Sequence, residues 1–369
     1  MSAGDDRVES LDVFRGFTIF AMIVVNNPGD WGAVFPPLVH AYWHGASFAD
    51  VVFPWFLFIM GFAMPFAFAR RRERGHARSQ LYRRIAMRVT LLILLGLVLN
   101  AAAGAQAAAP LRFPGVLQRL AIAYLLTALA VLHLRPAGWF VATAIVLIGH
   151  WAVLARLPFD GYPAGSIGPA HNLAGYLDAM VFGRHAMSTP IDPEGLLGTL
   201  PAAATALLGA GIGELVRRSS SPEARLRLLA AAGAIALAIG LAWSRLLPLN
   251  KHLWTGSFVL VATGLAMIAF GLTYLVVDVR RVRSWTRPFI WLGVNPLATY
   301  CCSELIGHML DATWMHRTTP KAWLFWAVLQ PALRFRYAEW TSLAFAVAYA
   351  SFWTCVAGLF YQRGIRIQV

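Results

Sequence analysis

Long apolar runs separated by short polar breaks dominate the chain, and a helix needs about 20 mainly apolar residues to cross a bilayer. Ten stretches fit that pattern: 11–27, 50–69, 85–103, 116–134, 137–157, 195–216, 226–247, 254–277, 287–310 and 341–362. Each ends at a charged, Pro-containing or Gly-containing break. The pattern therefore predicts an all-α polytopic membrane protein, with about ten transmembrane helices in one bundle. A further apolar segment, 322–333, is too short to cross and is expected at an interface. With no soluble domain and no exact internal repeat, residues 1–369 read as one membrane domain.

The pattern changes between the first two runs. Asn26-Asn27-Pro28-Gly29-Asp30-Trp31, His40-Ala41-Tyr42-Trp43-His44-Gly45 and then Asp50 crowd polar, ionisable and ring-bearing residues against the apolar stretch that continues to Gly61. His40 is expected where a membrane helix emerges, a place where an ionisable side chain needs a reason. A second polar stretch, 158–194, carries Asn172, Gly175, Tyr176, Asp178, His185, Asp192 and Glu194 among several Gly and Pro. It reads as a long functional loop without obvious structure.

Arginine placement adds sidedness. Arg70, Arg71, Arg72, Arg74, Arg78, Arg83 and Arg84 crowd one break, Arg217, Arg218, Arg225 and Arg227 another, and Arg280, Arg281, Arg283 and Arg287 a third. With an even number of spans these breaks and both termini share a side, which the positive-inside rule makes cytoplasmic. His40, the 158–194 loop, the Asn250-Lys251 pair and 311–340 then face the opposite side. The net charge of +14 does not indicate nucleic acid, because the arginines follow topology rather than one interleaved patch. Charged residues are only 13% of the chain, against about 25% in a typical soluble domain. Cys301, Cys302 and Cys355 lie inside apolar runs with no paired spacing, so neither a disulfide framework nor a metal site is expected. The first run follows Asp5, Asp6, Arg7 and Glu9 and has no small-x-small cleavage site, so it is expected to be a retained span.

His40 can take a proton or carry an acyl group near neutral pH, and Asn26 can orient a ring or hydrogen-bond a carbonyl oxygen. His44 competes for the same role, and spacing does not choose between them; both could equally ride a solvated loop. Asp50 suits either the N-terminus of the second span or orientation of His40. Asp12 and Arg15, one turn apart, read as a structural ion pair. Arg112 and Arg119 flank a Pro-Gly helix start and suit phosphate or carboxylate oxygens. Arg112 also suits lipid headgroups, an explanation that fits the deeper Arg119 poorly. Lys251, Trp254 and Asn295 stand at span starts or breaks, Asn295 as readily structural glue as a ligand contact. Glu304 is a single carboxylate in an apolar run, the kind of residue that marks function. Gly209-x-x-x-Gly213 reads as a close helix crossing with no functional role.

Several of these stretches, with their order, resemble the transmembrane N-acetyltransferases typified by the lysosomal heparan-α-glucosaminide N-acetyltransferase and its bacterial homologues. They are Ser10-Leu11-Asp12-Val13-Phe14-Arg15-Gly16, Val25-Asn26, His40 to Gly45, Asp50 to Phe56, Pro114 to Leu120, Asp192 to Thr199, Asn250 to Trp254 and Gly293-Val294-Asn295. The resemblance implies transfer of acetyl from cytoplasmic acetyl-CoA to the amino group of glucosamine, or of a terminal glucosaminyl residue, on the outer side. It puts the catalytic histidine on His40 and a nearby active-site asparagine on Asn26, and implies a homodimer and no metal.

On that reading Arg84, Arg88, Arg112, Arg119, Lys251 and Asn295 are candidates for the CoA path. Trp43, His44, Asp50, Asp178, Asp192, Glu194, Trp254 and Glu304 are candidates for the acceptor, with the 158–194 loop contributing to its site. The arginine-rich, lysine-poor usage and the His44 position, an asparagine in the lysosomal enzyme, suggest a bacterial inner-membrane protein with free glucosamine or a short amino sugar as acceptor. The alternatives are an amino-sugar transporter without chemistry, for which about ten spans, a Pro-broken helix and Glu304 are also suited, and an acyltransferase with another donor or acceptor.

Overall fold

The computed structural model describes residues 8–75, 77–104, 110–187, 191–312 and 318–367. In chain order the helices are α1 (Glu9–Asn26), α2 (Phe48–Glu73), α3 (Arg78–Gly104), α4 (Val116–His133), α5 (Pro136–Arg156), α6 (Leu173–Phe182), α7 (Leu196–Arg218), α8 (Pro222–Trp243) and α9 (Gly256–Tyr274). They continue with α10 (Arg287–Val294), α11 (Pro296–Leu310), α12 (Pro320–Trp323), α13 (Gln330–Leu333) and α14 (Ala338–Gln362).

Among the described residues eight helices are long and apolar enough to cross a membrane: α2 to α5, α7, α8, α9 with the turn that extends it to Val279, and α14. That is fewer than the ten runs in the sequence, and the two that fall short do so for physical reasons. α1 has 18 residues and carries Glu9, Asp12 and Arg15 in its first two turns. The run 287–310 breaks at Asn295 into α10 and α11, because Pro296 offers no N–H to continue the ladder. The 158–194 stretch also departs from expectation, since α6 and a single 3-10 turn (Gly183–His185) fold within it. The Asn172 side chain caps α6 by accepting from the Gly175 N–H at 2.7 Å. Leu173 packs beside Leu154 and Phe159, and Ala174 beside Trp43, Ile191 and Leu253, so the stretch has an apolar face to fold against.

α2 and α7 are buried around most of their circumference, whereas α3 and α8 expose most of theirs. The two central helices approach closely because glycine removes the side chain at the crossing. A Cβ on Gly209 would lie 2.1 Å from the Phe58 carbonyl oxygen, and one on Gly61 1.8 Å from that of Ala206. Gly209→Ala must therefore push α7 off α2, at a cost of about 1–3 kcal/mol. A lower thermal midpoint in detergent is expected, with Gly149→Ala as control, since nothing lies within 4 Å of a Cβ there.

Candidate active site

The polar stretch between α1 and α2 folds back onto the turn before α9. The Gly45 N–H donates to the Leu249 carbonyl at 2.8 Å, and the Asn250 amide lies 3.4 Å from His44 Nδ1. Trp43 stacks on His252 with ring centroids 5.3 Å apart and donates its indole N–H to the Ile167 carbonyl at 2.8 Å. This clamp brings residues about two hundred positions apart in sequence onto one mouth of the bundle.

At its centre Asp50, almost wholly buried, uses its two oxygens for separate tasks. Oδ2 accepts from the Ala41 N–H (3.0 Å), the Ser47 N–H (3.0 Å) and the Ser47 hydroxyl (3.1 Å), which caps α2 and pins the preceding loop. Oδ1 accepts from His40 Nδ1 at 2.9 Å. A carboxylate on Nδ1 holds the proton there and leaves the Nε2 lone pair to act as a base. The His40 ring is 45% exposed, so Nε2 is open to an incoming ligand. The capping and orienting roles that the sequence left open for Asp50 thus coexist.

Lys251 completes the cluster. Its Nζ lies 3.2 Å from His40 Nδ1, 3.4 Å from Nε2 and 3.6 Å from Asp50 Oδ1. Burial pulls its pKa below the ordinary lysine value, while Asp50 pushes it back up. Burial also lowers the pKa of His44, and burial followed by the Lys251 charge lowers that of His252, so both rings favour the neutral form.

Other candidates near this mouth form a second layer. The Arg112 guanidinium binds Asp192, with Nε 2.8 Å from Oδ2, and Glu194. Both shifts follow: Arg112 is held above its ordinary pKa and Asp192 below its own, in each case against the opposing pull of desolvation. Asn100 accompanies this by donating to the Arg112 and Pro114 carbonyls at 2.8 and 2.7 Å, which fixes the entry to α4. Asp178 accepts from the first N–H of α7, Leu196, at 2.8 Å, and burial raises its carboxyl to about 6. Arg119 is fully buried, donates to the Gly195 carbonyl at 3.1 Å and lies over the Trp254 ring at 4.8 Å. Trp254 is itself buried, and its indole N–H donates to Thr205 at 3.1 Å.

Asn26 goes elsewhere. Its amide donates to Glu304 at 3.2 Å and to Tyr300 at 3.5 Å on α11, which joins two of the sequence candidates to each other rather than Asn26 to His40. Asn295 serves the chain's own backbone, donating to the Ile365 carbonyl at 3.0 Å and accepting from the Ile367 N–H at 2.8 Å.

A cavity of about 940 Å³ opens toward the other end of α2. Its walls include Arg15 of α1, one face of α2 between Phe56 and Arg71, one face of α3 between Gln80 and Leu91, Tyr124 of α4 and Pro296 and Leu297 of α11. Arg84 and Arg88, one turn apart on α3, face it together with Arg15, Arg71 and Arg83. The Arg88 guanidinium lies over the Tyr124 ring at 4.4 Å. Sequence reasoning missed Arg15, assigned to an ion pair with Asp12, and Arg71, absorbed into the topology signal. The Asp12 pair exists at 3.2 Å, yet the same Nη1 also reaches the Gly293 carbonyl at 3.2 Å and the residue borders the cavity. The signal that could have found it is a charge on the polar side of a helix start facing another arginine-rich helix. By contrast Arg112, Arg119 and Lys251 are not among the residues lining this cavity.

Comparison with known proteins gives this geometry a context. The family profile described as heparan-alpha-glucosaminide N-acetyltransferase, catalytic, matches residues 7–246. The heparan-alpha-glucosaminide N-acetyltransferase of Homo sapiens is 30% identical over 371 residues, covering 85% of this chain and 55% of the relative. That of Mus musculus is 29% identical over 367 residues, covering 84% and 55%. The chain spans about half the length of the curated relatives it matches.

Proposed function

The chain belongs to the heparan-alpha-glucosaminide N-acetyltransferase catalytic family, and from that premise we propose that it transfers acetyl from acetyl-CoA to the amino group of glucosamine or a short glucosamine-bearing saccharide. The observation that carries the reading is the placement of two features on one helix. Asp50, holding His40, opens α2, and the arginine-lined cavity begins at Phe56. Six residues of α-helix span roughly 9 Å. A nucleotide with its phosphates among Arg15, Arg71, Arg83, Arg84 and Arg88 would therefore direct a pantetheine arm along α2 toward His40. Guanidinium forks match phosphate oxygens, and the apolar wall of Phe56, Ile59 and Met60 suits the arm between.

Arginine bias puts the nucleotide on the cytoplasmic side, with His40 and the acceptor on the outer side, periplasmic if the membrane is a bacterial inner membrane. His40 Nε2 takes the proton from the acceptor amine as it attacks the thioester carbonyl, and Asp50 stabilises the resulting imidazolium. His44 borders the mouth where a sugar ring would stand, with Trp43 buried beneath it against His252 and Glu194 in the layer behind.

The direct test is transfer of label from radiolabelled acetyl-CoA to glucosamine by the purified protein in detergent. Labelled N-acetylglucosamine supports the reading. Absence of transfer to glucosamine and to short amino-sugar oligomers, together with sugar movement across proteoliposomes, would replace it with transport. The nucleotide site has its own test: a lost charge-assisted phosphate contact costs about 1.5–3 kcal/mol, so Arg84→Ala and Arg88→Ala should each raise KM for acetyl-CoA at least about tenfold. KM for the acceptor should stay near wild type.

A further inference from the structure

The acetyl-transfer reading requires a group that stabilises the negative charge developing on the thioester oxygen. Asn26, the natural candidate by sequence, gives its amide hydrogens to Glu304 and Tyr300. Lys251 stands beside the base instead. Its Nζ is nearly equidistant from the two nitrogens of the His40 ring. Such a position cannot lie in the ring plane without driving Nζ into Cε1, so the ammonium sits over the ring face. In that position it leaves the Nε2 lone pair free for the acceptor. Asp50 Oδ1 lies 3.6 Å from Nζ, within ion-pair reach but beyond a hydrogen bond, and from over the ring face the in-plane lone pairs of the imidazole take none of the ammonium N–H groups.

We propose that Lys251 is the oxyanion donor of the transfer step, with its ammonium bound to the thioester carbonyl oxygen; this deepens the acetyl-transfer reading and rests on it. The amine lone pair forms the N–C bond as the carbonyl π pair moves onto oxygen, the Lys251 ammonium donates an N–H to that developing oxyanion, and Nε2 takes the amine proton. Collapse re-forms the carbonyl and breaks the C–S bond. The imidazolium proton then goes to sulfur, giving the amide and CoA thiol. Asp50 holds both partners: it is hydrogen-bonded to His40 and lies within ion-pair reach of Lys251, so base and oxyanion donor share one anchor.

A purely positioning lysine would act only through His40, and the two roles separate in a variant that has no imidazole. Lys251→Met keeps most of the aliphatic stem and removes the charge. In the wild-type background it should lower kcat about 30-fold, below the usual loss for an oxyanion donor because the mouth is open to water, with KM for both substrates within about threefold. Lys251→Arg should recover part of that loss. The deciding measurement is the residual rate in the His40→Ala background, where an oxyanion donor still contributes. Adding Lys251→Met should lower that rate by a further tenfold or so.

An unchanged residual rate, or a Lys251→Met enzyme as fast as wild type, would overturn the proposal while leaving acetyl transfer intact. A wild-type protein that transfers no label removes the underlying reading and the proposal with it. The thermal midpoint of each variant, measured alongside, identifies a variant that fails to fold; Lys251→Arg against wild type then decides, since an arginine that folds and shows no recovery above the charge-free rate also overturns the role.

Discussion

Replacing His40 with alanine should reduce kcat for acetyl transfer by ~10³-fold, with KM for acetyl-CoA within about threefold of wild type. The size follows from the chemistry lost. The acceptor amine must shed a proton as it attacks, and among the described residues neither of the neighbouring imidazoles reproduces the His40 arrangement. His44 contacts the Asn250 amide, and His252 is half-buried and stacked on Trp43. Neither has the carboxylate partner that fixes the His40 tautomer. The near-constant KM follows because the nucleotide would be held among the arginines at the far end of α2, away from the substituted side chain. A single-turnover measurement with radiolabelled acetyl-CoA checks this, and a loss smaller than tenfold would remove His40 from the role of base. A variant with unchanged kcat but greatly raised acceptor KM would make it a binding residue instead.

Asp50→Asn should lower kcat several hundredfold, and unlike His40→Ala it should also lower stability. A carboxylate offers two acceptor oxygens, and here both are occupied: one by His40, the other by three donors of the loop and cap. A carboxamide has one acceptor. Turned one way its NH₂ meets His40 Nδ1–H, which forces the wrong tautomer, as in triads where an aspartate becomes asparagine. Turned the other way it meets the Ala41 and Ser47 donors, at the cost of the helix cap, about 1–2 kcal/mol. The paired readouts are kcat and the thermal midpoint in detergent. Retention of full activity would show that orientation of His40 does not depend on this carboxylate.

The helices were legible because their cause is local. A membrane segment must satisfy its backbone within itself and present apolar side chains to lipid, so length and hydropathy suffice to mark α2, α7 or α14. Legibility failed where the cause was not local. The fold of 158–194 depends on Trp43, Leu154 and Leu253 supplying an apolar face for α6. In the candidate site, the sequence offered orientation of His40 as one of two roles for Asp50, ten residues away at a helix start, and spacing did not choose between His40 and His44. Lys251, 211 positions from His40, was legible only as a cation at a span start, without its partner.

By itself the sequence determined an all-helical membrane bundle, the concentration of ionisable residues before α2, and the clustering of arginines in three of the breaks between apolar runs. These properties are sums over short windows, each set by the cost of placing charge or open backbone in lipid. Tertiary structure alone decided the partners. It sent Asn26 to Glu304 and Tyr300, tied Asn295 to the 365–367 backbone, saturated Arg112 with Asp192 and Glu194, and seated Lys251 over the His40 ring. It also turned five arginines from three helices toward one cavity. A side chain's hydrogen-bond partner is set by which helices cross and at what height, and that geometry comes from close packing such as Gly209 against Phe58, which no window of the sequence contains.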